Sequence, residues 1–482
     1  MVNRPRIVIA GTKSGVGKTS IATGLMAAFT QWGLRVQGFK VGPDYIDPGY
    51  HTVATGRPSR NLDSFLVPPE RLVELFARAS ADCDIAVIEG VMGLFDGRLE
   101  DGGSSTAAIA KLLKAPVLLV VDVTSLGQSA AALVLGYSRL DPEVKVVGVI
   151  LNRVRSSRHL ELVRSSVEQA TGIPVVGWLP KGAVPSFPSR HLGLVPAVEQ
   201  QGIKETIKRL GYIMTRNLDL KQILKLSREV SSLPSSSAHW FPEGDLRSRV
   251  SIGLALDEAF NFYYQDALDY LRALGAELVP FSPLKDETLP KGITGLLIGG
   301  GFPEVFLPEL SANRWMLQEI RRQAAGGLPI FAECGGLMYL CRGLQDKEGR
   351  YWPLAGIIPA FCRMEDRLVG MGYRRARLIR DTLFNRRGEI VHGHEFHYSS
   401  MRPLKAAFPW AYAYKGDSGL SSVLQDATRY SKEGFAAPHI LASYLHTHFV
   451  GNPKLAENFL RACLRYQRNA SRRGRNSFCK SG

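Results

Sequence analysis

Cysteine is scarce: six in 482 residues, at positions 83, 334, 341, 362, 463 and 479, with no C-x-x-C pair and no zinc-type spacing. That excludes a disulfide framework and a zinc module, and reduced thiols are expected. Also absent is any uninterrupted apolar run of about 18 residues, the length a membrane-spanning helix needs. The first residues lead directly into a strand pattern, so a cytoplasmic location is expected. Acid is in deficit, 44 Asp and Glu against 60 Lys and Arg, for a net charge of +16. Seven of those positive charges lie in the acid-free stretch 461–482, "RACLRYQRNASRRGRNSFCKSG". No nucleic-acid module accompanies this short stretch, so it reads as a solvated, disordered end rather than a nucleic-acid or membrane contact. The remaining excess suits a polyanionic small-molecule substrate.

What is present is an alternation. Apolar, β-branched runs occur at 6–11 (RIVIAG), 35–42, 84–90 (DIAVIEG), 116–122 (PVLLVVD), 145–152 (KVVGVILN) and 174–180. Helical patterns follow Lys18, Pro69, Ser105, Ser129 and Ser157. Continuous apolar strands alternating with amphipathic helices predict a doubly wound parallel sheet covered on both faces. The stretch 231–249, "SSLPSSSAHWFPEGDLRSR", loses all periodicity and predicts a linker. A second α/β pattern then begins: 250–256, 276–281, 295–301 and 328–334, followed by shorter strands over roughly 350–450. The expected organisation is therefore two α/β domains, 1–230 and 250–465, a linker at 231–249, and a basic tail at 466–482. Nothing repeats internally beyond the alternation.

"AGTKSGVGKTS" (10–20) follows the first strand and opens a helix, the context of a phosphate-binding P-loop. The turn with Gly15 and Gly17 would cradle phosphates on backbone N–H groups. Lys18 would reach the terminal phosphates and Thr19 would ligate Mg²⁺. Thr12 stands where the strict GxxxxGK[ST] pattern has glycine, and "KSGVGKT" resembles the variant loop of partition ATPases and dethiobiotin synthetases. Four acids follow: Asp44 and Asp47, both expected in a turn within "FKVGPDYIDPGYH", then Glu89 ending the strand DIAVIEG, and Asp96 in "GVMGLFDG". Alone, each reads as a helix cap or surface charge. Together, at the carboxyl edge of a parallel sheet, they predict an acidic site beside the γ-phosphate.

The second half contains "PIFAECGGLMYL" (329–340), an apolar strand, Cys334, then a Gly-Gly helix opening. This is a nucleophile elbow with cysteine in the serine position. The helix N-terminus should favour the thiolate. "ASYLHTHFVGNP" (442–453) offers His446 as the base, with His448 expected on the same strand face. Gly300 and Gly301 of "LIGGGFPE", with Gly335, would supply oxyanion donors. "VHGHEFHYSS" (391–400) puts His392 and His394 on one strand face and Glu395 and His397 elsewhere, which does not complete a metal site.

These stretches, with "SRNLDSF", "PSRHLGLVPA" and "YLHTHF", run in order to about residue 465 and resemble the cobyrinic acid a,c-diamide synthase family. The resemblance implies an N-terminal ATP-dependent amide-forming domain related to dethiobiotin synthetase and a C-terminal class I glutamine amidotransferase domain. It implies ATP, Mg²⁺ and glutamine as reactants, and a tetrapyrrole polycarboxylate whose a and c acetates become amides through a phosphorylated intermediate. Asp44, Asp47, Glu89 and Asp96 would surround metal, phosphate and substrate, with Thr19, Asp47 and Glu89 as metal ligands. Tyr45 and Asp63 would line the substrate pocket, and Asn152 matches an adenine-contacting asparagine. The usual amidotransferase pattern is His-x-Glu. Here His448 takes the third position, which leaves the orienting carboxylate open, Glu395 being one alternative.

The resemblance makes cobyrinic acid the expected substrate, giving its a,c-diamide in cobalamin biosynthesis. Nickel-sirohydrochlorin, on the route to coenzyme F430, is the alternative, and hydrogenobyrinate is not distinguished from cobyrinate. A homodimer is one reading of the assembly. A partition-type switch ATPase is the alternative of another class. It leaves the second domain and the acids at 44–47 without a purpose.

Overall fold

Seven strands of the N-terminal half are buried along almost their whole length, as parallel strands covered on both faces must be. They are β1 (Arg6–Gly11), β2 (Val36–Val41), β3 (Arg60–Leu62), β4 (Ile85–Glu89), β5 (Val117–Asp122), β6 (Val146–Val154) and β7 (Val175–Pro180). The computed structural model describes residues 4–97, 104–185, 187–190, 193–233, 240–242, 250–415 and 430–478. The chain divides into two compact units, Met1–Ala238 and His239–Gly482. Of the expected linker at 231–249, residues 234–239 and 243–249 lie outside the described residues.

In the first unit the strand order is β3-β2-β4-β1-β5-β6-β7, all parallel. The connecting helices are α1 (Lys18–Gln31), α2 (Asp47–Thr55), α3 (Pro69–Ala79), α4 (Thr106–Leu112), α5 (Ser129–Arg139) and α6 (Ser157–Thr171), and α7 (Ile203–Asn217) follows β7. Ser105 and Ser156 cap α4 and α6, their side chains accepting from the backbone N–H of Ala108 and His159. Gly24 and Gly211 let α1 and α7 approach closely: a Cβ on Gly24 would lie 2.8 Å from Leu210 Cγ, and one on Gly211 would lie 3.0 Å from Ala27 Cβ. Between β4 and β5 the chain crosses from one side of β1 to the other. The loop after β1 therefore opens at a topological switch point, where open α/β sheets bind ligands. Asp47, expected in a turn with Asp44, instead begins α2. Pro48 fits the first turn of that helix, where its missing N–H costs nothing.

The second unit is built on a ten-stranded mixed sheet. Strands Ala276–Phe281, Val250–Ala255, Gly295–Ile298, Ile330–Glu333 and Ile440–Ser443 are mutually parallel in that order. Antiparallel strands Tyr430–Ala437, Trp410–Lys415, Gly370–Leu378 and Ile390–His397 continue it, and the two-residue strand His446–Thr447 ends it. A four-stranded sheet of Tyr351–Pro353, Cys341–Gln345, Ile358–Met364 and Ser399–Pro403 completes the unit. The final helix, Pro453–Phe478, runs well past residue 465, so the segment expected as a disordered tail is helical to 478. The physical reason is local: 454–473 contains no proline or glycine, and Tyr466 extends the packing with its hydroxyl 3.3 Å from Gln323. No helix among the described residues is long and apolar enough to cross a membrane.

Candidate functional site

The loop between β1 and α1 carries two glycines at positive φ, Gly15 at 76° and Gly17 at 96°. Such angles turn consecutive N–H groups toward one concavity, the nest that receives phosphate. Lys18 curls back over it, its Nζ donating to Lys13 O at 3.2 Å and to Met92 O. Burial, then the charge of Lys40, brings the Lys18 ammonium down to about 8. Asn152, expected at an adenine, braces the loop itself: its amide donates to Val16 O at 2.8 Å. A Cβ on Gly17 would lie 2.5 Å from the same nitrogen.

Below the loop lies a buried ionic cluster. Lys40 Nζ is 2.5 Å from Asp47 Oδ2, 2.7 Å from Glu89 Oε1 and 3.8 Å from Asp44 Oδ2. Thr19 Oγ1 donates to Glu89 Oε1 at 2.7 Å and reaches Asp47 Oδ2 at 3.3 Å. His51 Nε2 is 2.7 Å from Glu89 Oε2, so Glu89 has a partner on each oxygen. Glu89 sits wholly buried, and the charge of Lys40 with hydrogen bonding from His51 overcomes desolvation and holds its carboxyl below the usual range. Asp47 goes the other way: burial, then Asp44 and Glu89, push its carboxyl well up. The opposite directions have one physical cause. Glu89 draws on Lys40 and on a hydrogen bond from His51, whereas Asp47 has only its share of the same ammonium and faces the charges of Asp44 and Glu89. Lys40 stays charged because its three carboxylate neighbours outweigh burial.

Sequence reasoning assigned neither Lys40 nor His51 a role. The signal was available as charge balance, since three acids aimed at one buried spot need a cation and Lys40 lies four residues before Asp44. Asp96 stands at the surface, its Oδ2 accepting from Gly93 N at 2.9 Å, and its charge favours the Lys18 ammonium. Asp63 stands apart: it is buried, and its Oδ1 accepts from Phe65 N and Leu66 N at 2.9 and 3.0 Å, the role of a turn cap. Tyr45 is half-buried between the two aspartates.

Thr19, Asp47 and Glu89 present only oxygen donors, the donor type that a hard divalent cation takes, although Lys40 already contacts Asp47 Oδ2 and Glu89 Oε1. Mg²⁺ takes one or two carboxylates and completes its shell with phosphate oxygens and water. No group of three or more His, Cys, Asp or Glu among the described residues forms a closed metal cage. Phosphate oxygens would have to complete the shell.

In the second unit Cys334 sits at the turn between Ile330–Glu333 and the helix Gly335–Leu340, with φ 47° and ψ −102°. A non-glycine residue at such angles is strained, as in nucleophile elbows. Its N–H donates to Ser443 O at 2.7 Å. The loop Gly299–Gly301 ties the pieces together. Gly299 O accepts from Gly336 N at 3.1 Å. A Cβ on Gly335 would lie 3.3 Å from the Gly301 nitrogen, and one on Gly300 would lie 2.5 Å from His446 Cε1. Gly301, at φ 152°, leaves no space for a side chain against Ala259 O. Cysteine turn, histidine ring and two backbone amides thus converge on one loop.

Two expectations need correction here. Burial first, and the nearby charge of Glu304, push the Cys334 thiol up; the six-residue helix does not outweigh them, so the free site favours thiol over thiolate. His448 does not accompany His446. Its ring stacks on Tyr264 at 5.1 Å, its Nδ1 accepts from Val450 N at 3.3 Å, and burial brings its pKa down to about 3. Glu395 is engaged by Arg374 Nε at 3.1 Å and Tyr414 OH at 2.6 Å. It lies on the strand face opposite His394, which pairs in register with His446. Burial, with the charges of His394 and His397, brings His446 down to about 3, so its imidazole is neutral in the free site.

Fold and site together define a P-loop nucleotide-binding domain followed by a glutamine amidotransferase domain. Residues 7–195 match the CobQ/CobB/MinD/ParA nucleotide binding domain, and residues 251–454 match the CobB/CobQ-like glutamine amidotransferase domain. The chain is 43% identical over 467 residues to the cobyrinate a,c-diamide synthase of Dehalococcoides mccartyi strain 195, covering 95% of this chain and 98% of the relative. It is 43% identical over 452 residues to the synthase of the same name from Listeria innocua, covering 93% and 97%. Identity is again 43%, over 497 residues covering 95% and 97%, to the hydrogenobyrinate a,c-diamide synthase of Streptomyces coelicolor. The chain belongs to the cobyrinate a,c-diamide synthase family, and is a glutamine-dependent amidotransferase ligase.

Proposed function

We propose that the protein uses ATP and glutamine to convert the a and c acetate carboxylates of cobyrinic acid into amides, giving cobyrinic acid a,c-diamide. The observation that supports this most directly is the buried Lys40–Asp47–Glu89 cluster hydrogen-bonded to the P-loop Thr19. A carboxylate substrate must approach the γ-phosphate against strong like-charge repulsion, and a site for that reaction must hold cationic charge in place. Lys18 contacts the terminal phosphates and Lys40 fixes the carboxylates. His51 holds Glu89 from its far side. Bound Mg²⁺, held by Thr19, Asp47 and Glu89, would neutralise phosphate oxygens. Asp44, Asp96 and Tyr45 border the substrate.

The substrate carboxylate oxygen attacks the γ-phosphorus, and the bond to the ADP oxygen breaks. Ammonia then attacks the acyl carbon of the resulting acyl phosphate, and phosphate leaves as the amide forms. In the second unit His446 removes the Cys334 proton as the sulfur attacks the glutamine amide carbon. The oxyanion meets the N–H groups of Gly301 and Gly335. His446 returns the proton to the departing ammonia, and water hydrolyses the glutamyl thioester to glutamate. This order lets a thiol that burial keeps protonated react once substrate is in place.

Hydrogenobyrinic acid is a second reading, favoured by the relative from Streptomyces coelicolor at the same identity. The test is mass spectrometry of parallel reactions with cobyrinic acid, hydrogenobyrinic acid and nickel-sirohydrochlorin. Preferential diamidation of cobyrinic acid is expected; preferential diamidation of either alternative would reassign the substrate.

A further inference from the structure

Something must hold His446 in place, because the carboxylate two residues on that ordinarily orients such a histidine is replaced by His448, which faces Tyr264. The strand carrying His446 is only two residues long and has one neighbour in the sheet. A strand this short cannot fix a side chain by its ladder alone.

We infer that Glu333 is the positioning residue for His446, acting through Thr447 rather than through the imidazole, an inference that rests on the roles proposed above for Cys334 and His446. Glu333 is the last residue of the strand leading to Cys334 and is buried. One oxygen, Oε1, accepts from both Thr447 N at 2.8 Å and Thr447 Oγ1 at 2.7 Å. The residue before the nucleophile thus grips the residue after the base. At the other end of the segment, buried Glu433 accepts from Ser443 Oγ at 2.6 Å and Tyr444 N at 2.5 Å, and Ser443 O receives the Cys334 N–H. Residues 443–447 are therefore clamped twice, and one clamp comes from the nucleophile's own strand.

Packing alone would not choose this arrangement. A carboxyl buried for the sake of two donors costs more than an apolar pair of the same shape, and such groups persist where geometry is needed. Burial pushes Glu333 up to about 7, which records that cost.

The test compares full-length Glu333→Ala, Glu333→Gln, Thr447→Val and Cys334→Ser, with ATP and cobyrinic acid present and glutamine or ammonium chloride as nitrogen source. Glu333→Ala should lower the glutamine-supported kcat by ~10²-fold, the scale of a misplaced catalytic group, with glutamine KM little changed and ammonium-supported amidation intact. Glu333→Gln should restore the rate, since its carbonyl oxygen can accept both Thr447 donors. Equal kcat in Glu333→Ala and wild type would overturn the inference. So would loss of glutamine and ammonium rates together, or a Gln variant as damaged as the Ala variant. Should Glu333→Ala not fold, Thr447→Val decides on the same readouts: selective loss of glutamine kcat supports the clamp, and an unchanged kcat overturns it. Glutamine use retained by Cys334→Ser would instead defeat the proposed function itself.

Discussion

Lys40→Met removes the one ammonium that sits between Asp47 and Glu89. The two contacts, 2.5 and 2.7 Å, lie in a site where the lysine side chain is 5% exposed and that of Glu89 fully buried. At an effective dielectric of about 20 each contact carries roughly 6 kcal/mol of raw Coulomb attraction, much of it offset by desolvation. Removing one partner of such a buried pair costs about 3–5 kcal/mol, because the remaining charge is uncompensated. The expected loss therefore falls in that range and is confined to Met1–Ala238. A urea titration read by hydrogen exchange of peptides from each unit separates the two. The double variant Lys40→Met/Glu89→Gln is the sharper test. Neutralising Glu89 removes the stranded charge, so the double variant should be more stable than Lys40→Met alone, by at least about 1 kcal/mol. A single-variant loss below about 1 kcal/mol, the range of an exposed pair, would refute the buried-cluster account. So would a double variant less stable than either parent.

Lys18→Ala should abolish amidation with either nitrogen source, measured by product formation; residual turnover with ammonium would remove Lys18 from the phosphate site. Cys334→Ser should lose glutamine-supported amidation and retain the ammonium-supported rate, read by coupled ADP release; loss of both would make Cys334 structural. A pH effect follows from Glu333, whose carboxyl is raised from 4.5 to about 7 by burial. The native state binds the proton more tightly than the unfolded chain, so this group's contribution is fully present below pH 4.5 and is lost as pH rises through 7. The loss amounts to about 3 kcal/mol, and Glu333→Gln should abolish it. Parallel stability profiles for the two proteins between those pH values would contradict the assignment.

Six strands of the first sheet and the parallel strands that open the second could be read from the chain because buried parallel strands are largely apolar. The antiparallel strands of the second unit alternate in burial and were legible only as a stretch of short strands. The P-loop, Glu89 at a strand end and the Cys334 elbow were legible for a related reason: each is a local pattern at a strand-to-helix turn. What escaped reading depends on residues distant in sequence. Lys40 and Glu89 are 49 positions apart, and Glu333 and Thr447 are 114 apart, so no local pattern announces either pair. Asp63 looked like a ligand-facing group but caps its own turn, a common use of Asp, and Asn152 braces Val16, 136 positions away. His448 was misplaced because alternation along a strand was extended beyond a strand that ends at Thr447. The helix to Phe478 was hidden by its charge, which argued for solvation; the arginines that carry that charge, at 468, 472, 473 and 475, are themselves good helix formers.

The proposed reaction amidates a corrinoid polycarboxylate twice at the expense of ATP and glutamine. Time-resolved mass spectrometry of cobyrinic acid incubated with the protein, ATP, Mg²⁺ and amide-¹⁵N glutamine tests it most directly. A monoamide should rise and fall, followed by a diamide holding two ¹⁵N atoms, with two ADP formed per diamide. ATP hydrolysis without any ¹⁵N in the corrinoid would contradict it.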